Sequence, residues 1–280
     1  MRFAIVLMAL FATQVGAQTP PPAFEVASVK LVPPGTPQSR GGMRGGPRTS
    51  DPGRITITSS TLKFVLMKAY DLQHYQISGP PWLEEDRYEI VARVPEGATR
   101  EAAMTMLQNL VIERFGLKLH LETRELPVYA LKAGKNGHQL TPVDGEVDDD
   151  AQADFFSAPI TRAKDGFADT GGLRSGYLES YVGDQGKITV IRQPLKTFTD
   201  RLSNRMDRPI LDRTGLRGLF SFAVNYTPAH NTTINTATDD VAGDSIFNAL
   251  KQQLGLHLEP IKGPVRFLVV DSGTRVPVDN

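Results

Sequence analysis

Polar and apolar positions alternate from Arg54 to Thr58, with Ile55 and Ile57 on one face, which is the period-two pattern of a half-buried strand. Lys187 to Ile191 repeats it with Ile188 and Val190. A helical spacing follows each. Leu62, Val65, Leu66, Ala69 and Tyr70 share a face in the first, and Leu195, Phe198 and Leu202 in the second. A turn-rich stretch comes next, Ser78-Gly79-Pro80-Pro81 in one half and Thr214-Gly215 in the other. Each leads into a second strand. Tyr88, Ile90, Ala92 and Val94 alternate with Glu89, Val91 and Arg93, while Phe220, Phe222, Val224 and Tyr226 alternate with Ser221, Ala223 and Asn225. Pro95 and Pro228 mark the ends of these strands, because proline cannot donate to a ladder.

A second helix is predicted in each half. Thr99 caps one whose core face is Ala103, Met106, Leu107, Leu110 and Phe115, ended by Gly116. Asp244 or Ser245 caps the other, with Phe247, Leu250 and Leu254 inward and Gly255 at its end. Leu-x-Leu follows both glycines (Leu117 and Leu119, then Leu256 and Leu258), and a closing apolar strand comes after it, Pro127 to Ala133 or Val265 to Val270. Six elements in one order predict a duplicated α+β chain: two tandem similar small domains, each a short sheet carrying two helices. A single α+β domain with a chance likeness between its halves is the alternative. The domains run over 18–143 and 187–273, with an acidic, glycine-rich linker or insertion at 144–186 and a tail at 274–280. Phe24 to Lys30 reads as an additional strand. Pro33 to Gly53 and Ala229 to Gly243 read as irregular loops.

Composition adds an address. Met1-Arg2, an apolar run from Phe3 to Ala12 and the small-x-small end Val15-Gly16-Ala17 predict a signal peptide of residues 1–17, cut after Ala17. The run is too short to cross a bilayer, and no later segment is apolar for long enough. A secreted or periplasmic protein without a transmembrane segment after cleavage is therefore expected. With no cysteine, disulfides, thiolate metal sites and a cysteine nucleophile are excluded. Lys plus Arg equals Asp plus Glu at 31 each, so no net field draws nucleic acid.

Templates for catalysis all fail. His74, His120, His138, His230 and His257 show no spacing that places two imidazoles on one helix face. The acids of Asp144 to Asp154 lack the glycine and terminal acid of a calcium loop. In Gly171-Gly172-Leu173-Arg174-Ser175-Gly176 the serine is misplaced for a nucleophile elbow. Glu84, Glu85 and Asp86 could form an acid–base pair, but carboxylates beside a turn are ordinarily solvated. Arg40-Gly41-Gly42-Met43-Arg44-Gly45-Gly46 resembles a phosphate cradle, yet Pro47-Arg48-Thr49 follows where a helix should begin. Arg40, Arg44 and Arg48 in that flexible loop, with the single Trp82, are the candidate partner contacts. Trp82 reads first as a core anchor beside the Ser-Gly-Pro-Pro turn, with an exposed contact residue as the alternative. No catalytic, cofactor or metal residue is assigned.

Several strings together resemble one family: Phe24 to Lys30 (FEVASVK), Ile77 to Trp82 (ISGPPW), Pro209 to Leu216 (PILDRTGL) with Phe220-Ser221-Phe222, and Leu254-Gly255-Leu256. They are similar to the soil-associated, Solibacter-type family of secreted proteins, a domain of unknown function. That resemblance implies an exported or envelope protein, in a family sometimes fused to a sensor-type membrane metallopeptidase domain. It carries over no catalytic residue. Each half also resembles, more weakly, the short amino-terminal domain of secretins and TonB-dependent receptors, a small envelope interaction domain. The expected function is a non-enzymatic extracytoplasmic module contacting an envelope protein. A hydrolase or carbohydrate-active enzyme with a site between the halves, and a sensory ectodomain partnered with a membrane peptidase-type transducer, are the alternatives.

Overall fold

The computed structural model describes residues 21–33, 35–36, 41–145, 161–171, 173–228 and 245–278. The expected signal segment, Arg40, residues 146–160 of the expected linker and the 229–243 stretch lie outside the described residues. Both predicted opening strands form. β1 (Val26–Leu31), β2 (Gly42–Gly45), β3 (Arg54–Thr61) and β5 (Arg87–Arg93) make a sheet in the order β1-β5-β3-β2. Its inner face is Ile55, Ile57, Tyr88 and Ile90, all fully buried. Two helices cover that face. Thr61 caps α1 (Leu62–Tyr70) by accepting from the Phe64 amide. Thr99 does the same for α3 (Arg100–Phe115) through the Ala102 amide at 3.2 Å, and Gly116 at φ 54° ends it. Between them lie a short 3₁₀ turn at His74–Gln76, β4 (Ile77–Ser78) and α2 (Trp82–Glu85).

The second half repeats this plan. β7 (Thr141–Val143), β8 (Gly176–Val182), β9 (Gln185–Gln193) and β11 (Leu219–Tyr226) form a sheet ordered β7-β11-β9-β8. α4 (Leu195–Ser203) and α5 (Ile246–Leu254) pack on it, with β10 (Ile210–Asp212) between them. Even a local irregularity recurs. β3 bulges where Ser59 takes φ 42°, and β9 bulges where Arg192 takes φ 49°, each three residues before its helix begins. A left-handed non-glycine residue costs free energy wherever it occurs. Its return at the equivalent place shows that the bulge, which turns the strand into the helix, belongs to the plan of both halves.

The closing strands are where the structure departs from expectation. The Leu-x-Leu pairs and the apolar runs after them are single long strands, β6 (Lys118–Ala133, 16 residues) and β12 (Leu256–Ser272, 17 residues). They pair with each other, antiparallel, over almost their whole length. A third sheet, β10-β6-β12-β4, thus draws strands from both halves, and the expected pair of separate short sheets is replaced by an interlocked arrangement. The start of β6, with Leu117 just before it, and the end of β12 serve the first core, through Leu117, Leu119, Leu268 and Val270. The end of β6 and the start of β12 serve the second, through Tyr129, Leu131, Leu256 and Leu258. Two other expectations are also corrected. The Pro33–Gly53 loop contains β2, which pairs with β3 (Met43 opposite Ile57), and the 144–186 linker supplies β8.

Leu107 and Leu250, at the centres of the two helix–sheet layers, are both fully buried. Leu107→Ala and Leu250→Ala should each destabilise by about 2–5 kcal/mol in urea unfolding. Values below about 0.5 kcal/mol, which are usual for surface positions, would contradict the assigned cores.

Candidate interaction surface

The outer face of the first sheet is unusual for a solvated face. Register places Ser28, Val91, Thr56 and Arg44 in one row across β1, β5, β3 and β2, with Val26, Arg93 and Arg54 in the next. Val26 is 65% exposed and Val91 44%. The two valines sit over a shallow concavity of about 560 Å³ whose rim includes Arg54, Arg93 and Asp51. Arg93 Nε lies 2.9 Å from a Glu25 carboxylate oxygen, and Arg54 Nε 3.1 Å from Asp51. The guanidiniums are therefore braced along the sheet beside the valines.

Three of the four sequence candidates fall among the described residues. Arg44 is exposed and belongs to this face. Arg48 sits in the turn from β2 back to β3, exposed and left-handed at φ 72°. Arg40 lies outside the described residues. Trp82 is half-buried against the first core at the start of α2, the core-anchor alternative. Sequence reasoning missed Val26 and Val91. The signal was present in Val91, an apolar residue on the polar phase of β5, between Glu89 and Arg93.

The second half carries a polar network on the helix-facing side of its sheet, in the rows of Ile188 and Gly186. The Glu179 side chain on β8 is only 6% exposed. It accepts hydrogen bonds from the Tyr181 hydroxyl at 2.5 Å and from the Tyr226 hydroxyl, and meets Arg205 Nε at 2.7 Å. Arg205 also donates to the Tyr181 hydroxyl at 2.9 Å. Burial, followed by the hydrogen bond to Glu179, pushes the Tyr226 phenol far above its ordinary value, so it is no base at neutral pH. Gly186 makes room, since a Cβ there would lie 2.8 Å from the Tyr226 ring. A carboxylate already engaged by two hydroxyls and a guanidinium works as a clasp, fastening β8 and the end of β11 to the turn after α4.

Side chains also meet where the halves face each other. Lys196 on α4 lies 2.6 Å from Asp200 and 3.4 Å from Asp71, which caps the end of α1, and the Asn204 amide donates to Gln73 at 3.4 Å. Burial, then Asp200, pushes the Tyr75 phenol up to about 12. Nearby, the nearly buried Lys63 ammonium donates to Glu84 at 2.6 Å and His74 lies 3.2 Å from the same carboxylate. The hydrogen bond from Lys63 holds the Glu84 carboxyl below its ordinary value of 4.5. Among the described residues, no group of three or more His, Asp or Glu is arranged to hold a metal ion. Among them, too, no helix is long and apolar enough to cross a membrane.

Residues 63–272 match the family described as "Protein of unknown function (DUF3738)". The chain belongs to that family, a mixed α+β protein whose family function is unassigned. No curated protein and no solved structure matches it.

Two outcomes follow from these networks. Glu179→Ala removes charge-assisted hydrogen bonds from a buried position and should cost about 2–4 kcal/mol in urea unfolding. A cost under about 0.5 kcal/mol would show that the clasp is idle. Glu84 has a depressed folded-state pKa, so its contribution is present above about pH 4.5 and lost as pH falls through the folded value. Wild type should therefore lose thermal stability between pH 6 and pH 3 more steeply than Glu84→Gln. Parallel curves would contradict the Lys63–Glu84 contact.

Proposed function

We propose that this protein is an exported, non-enzymatic interaction module that contacts an envelope protein through the outer face of its first sheet. One observation carries the reading: Val26 and Val91 are exposed as diagonal neighbours on β1 and β5, with Arg93 and Arg54 in the row of Val26 and Arg44 at the far end of the row of Val91. Such a patch offers an apolar centre and a polar, arginine-rich rim, the usual anatomy of a protein–protein contact. Export rests on the signal-peptide reading of residues 1–17. The likeness of each half to short envelope interaction domains agrees with it.

The experiment is site-specific photo-cross-linking in native cells. The full chain carries a photoreactive residue at Val91 or, as a control, at Lys251, which is exposed on α5 of the other half. A saturable, one-to-one adduct with a single envelope protein from Val91, absent from Lys251 and abolished by Arg93→Glu, is expected. No adduct, or equal adducts from both positions, would overturn the proposal.

A further inference from the structure

The long ribbon has two equivalent outer edges, and they are not treated alike. Odd-numbered positions of β6 direct their backbone groups away from β12: the Tyr129 amide donates to Pro209 O at 2.8 Å, and Leu131 O accepts from Arg213 at 2.9 Å. The register carries this parity back without interruption to Leu121, Thr123 and Glu125, and gives the even positions of β12 the same outward direction. β10 covers β6 only from Tyr129 to Leu131, and β4 covers β12 only at Leu268 and Val269. Each strand therefore has a free stretch of edge nearer its start.

On β12 that stretch is closed by Pro260 and Pro264, which have no amide to offer. Counting from the helix-ending glycines Gly116 and Gly255, the equivalent positions on β6 are Leu121, five residues on, and Glu125, nine residues on. Neither is proline. Leu121 is 51% exposed, Thr123 and Glu125 are exposed, and among the described residues no backbone hydrogen bond reaches their outward groups. The outward proline of β6, Pro127, lies beyond this stretch, so Leu121 to Glu125 is left open where the equivalent stretch of β12 is guarded.

We propose that this open edge pairs with the same edge of a second copy of the chain, antiparallel and centred on Thr123. Its residue order argues for that occupant. Only outward positions can face one another, so the two-fold axis passes through a residue of β6. Centred on Glu122 the pairing would set Glu122 against itself, and centred on Arg124 it would set Arg124 against itself, both unfavourable like-charge pairs. Centred on Thr123, each Glu122 faces the other copy's Arg124, and Thr123 faces its own counterpart. No like charges stand opposite. The product is a continuous four-stranded sheet, β12-β6 of one copy joined to β6-β12 of the next, a form of strand addition.

The test is sedimentation velocity of the purified full chain over a range of concentrations. Wild type should show a reversible monomer–dimer equilibrium. Leu121→Pro and Glu125→Pro each install, at an outward position, the proline that β12 carries at the equivalent place. Both should remain monomeric where wild type is at least half dimer, with unchanged far-ultraviolet circular dichroism. Glu122→Arg alone should raise the dimer dissociation constant by about tenfold or more, because the lost pair occurs twice by symmetry, and Arg124→Glu in the same chain should restore it. Wild type that stays monomeric up to about 1 mM would overturn the proposal. So would proline variants that fold and dimerise like wild type, or a charge reversal without effect.

Discussion

The antiparallel pairing of β6 with β12 is the constraint on which the other contacts depend. All the core-facing residues of the ribbon lie on one side of it: Leu119, Tyr129 and Leu131 from β6, with Leu256, Leu258, Leu268 and Val270 from β12. A slip of one residue would turn one strand's set to the opposite side and open both cores together. The opposite side holds a small cluster of its own, Val128, Val265 and Phe267, with the Arg124 guanidinium 4.3 Å from the Phe267 ring centre. The middle of the ribbon, from Thr123 to Pro127, carries little apolar surface. Its register is fixed from its two ends.

The prolines of the ribbon fit the same logic. Pro127, Pro260 and Pro264 all fall at outward positions, where no ladder hydrogen bond is lost. The two halves share strand order, bulges and the caps of their second helices, Thr99 with Gly116 and Ser245 with Gly255, while Pro194 gives α4 no side-chain cap like that of Thr61 on α1. At the position of Gly45 in the edge strand of the first sheet, the second has Glu179, anchored to Tyr181, Tyr226 and Arg205. That carboxylate lies on the helix-facing side of its sheet, in the row of Ile188 and Val224, whereas the two valines and the arginines of the first sheet lie on the outer face. The two sheets have the same strand order and carry different side chains on it.

Local features were legible in the sequence for a physical reason. Ile55 and Ile57, the α1 and α3 faces, and the Thr99 and Ser245 caps depend on neighbours a few residues away, and periodicity records them. The pairing partner of β6 lies more than a hundred residues along the chain, and no local pattern encodes it. The run Glu122-Thr123-Arg124-Glu125 also disguised β6, because polar residues in its centre look like the end of a strand. β2, with the sequence GMRG, has too few side chains to show alternation and is defined by β3 beside it. Of the candidate surface, Arg44 was readable from composition. Val26 and Val91 became a patch once register set β1 against β5.

If each core is closed by strands from both halves, neither half can unfold alone. Hydrogen exchange read by mass spectrometry across a urea series measures this directly, following α3 for the first half and α5 for the second. The interlocked ribbon predicts that the most protected amides of both helices open with one free energy and one urea dependence. Two separate opening free energies, with one helix still protected after the other has exchanged, would contradict the account.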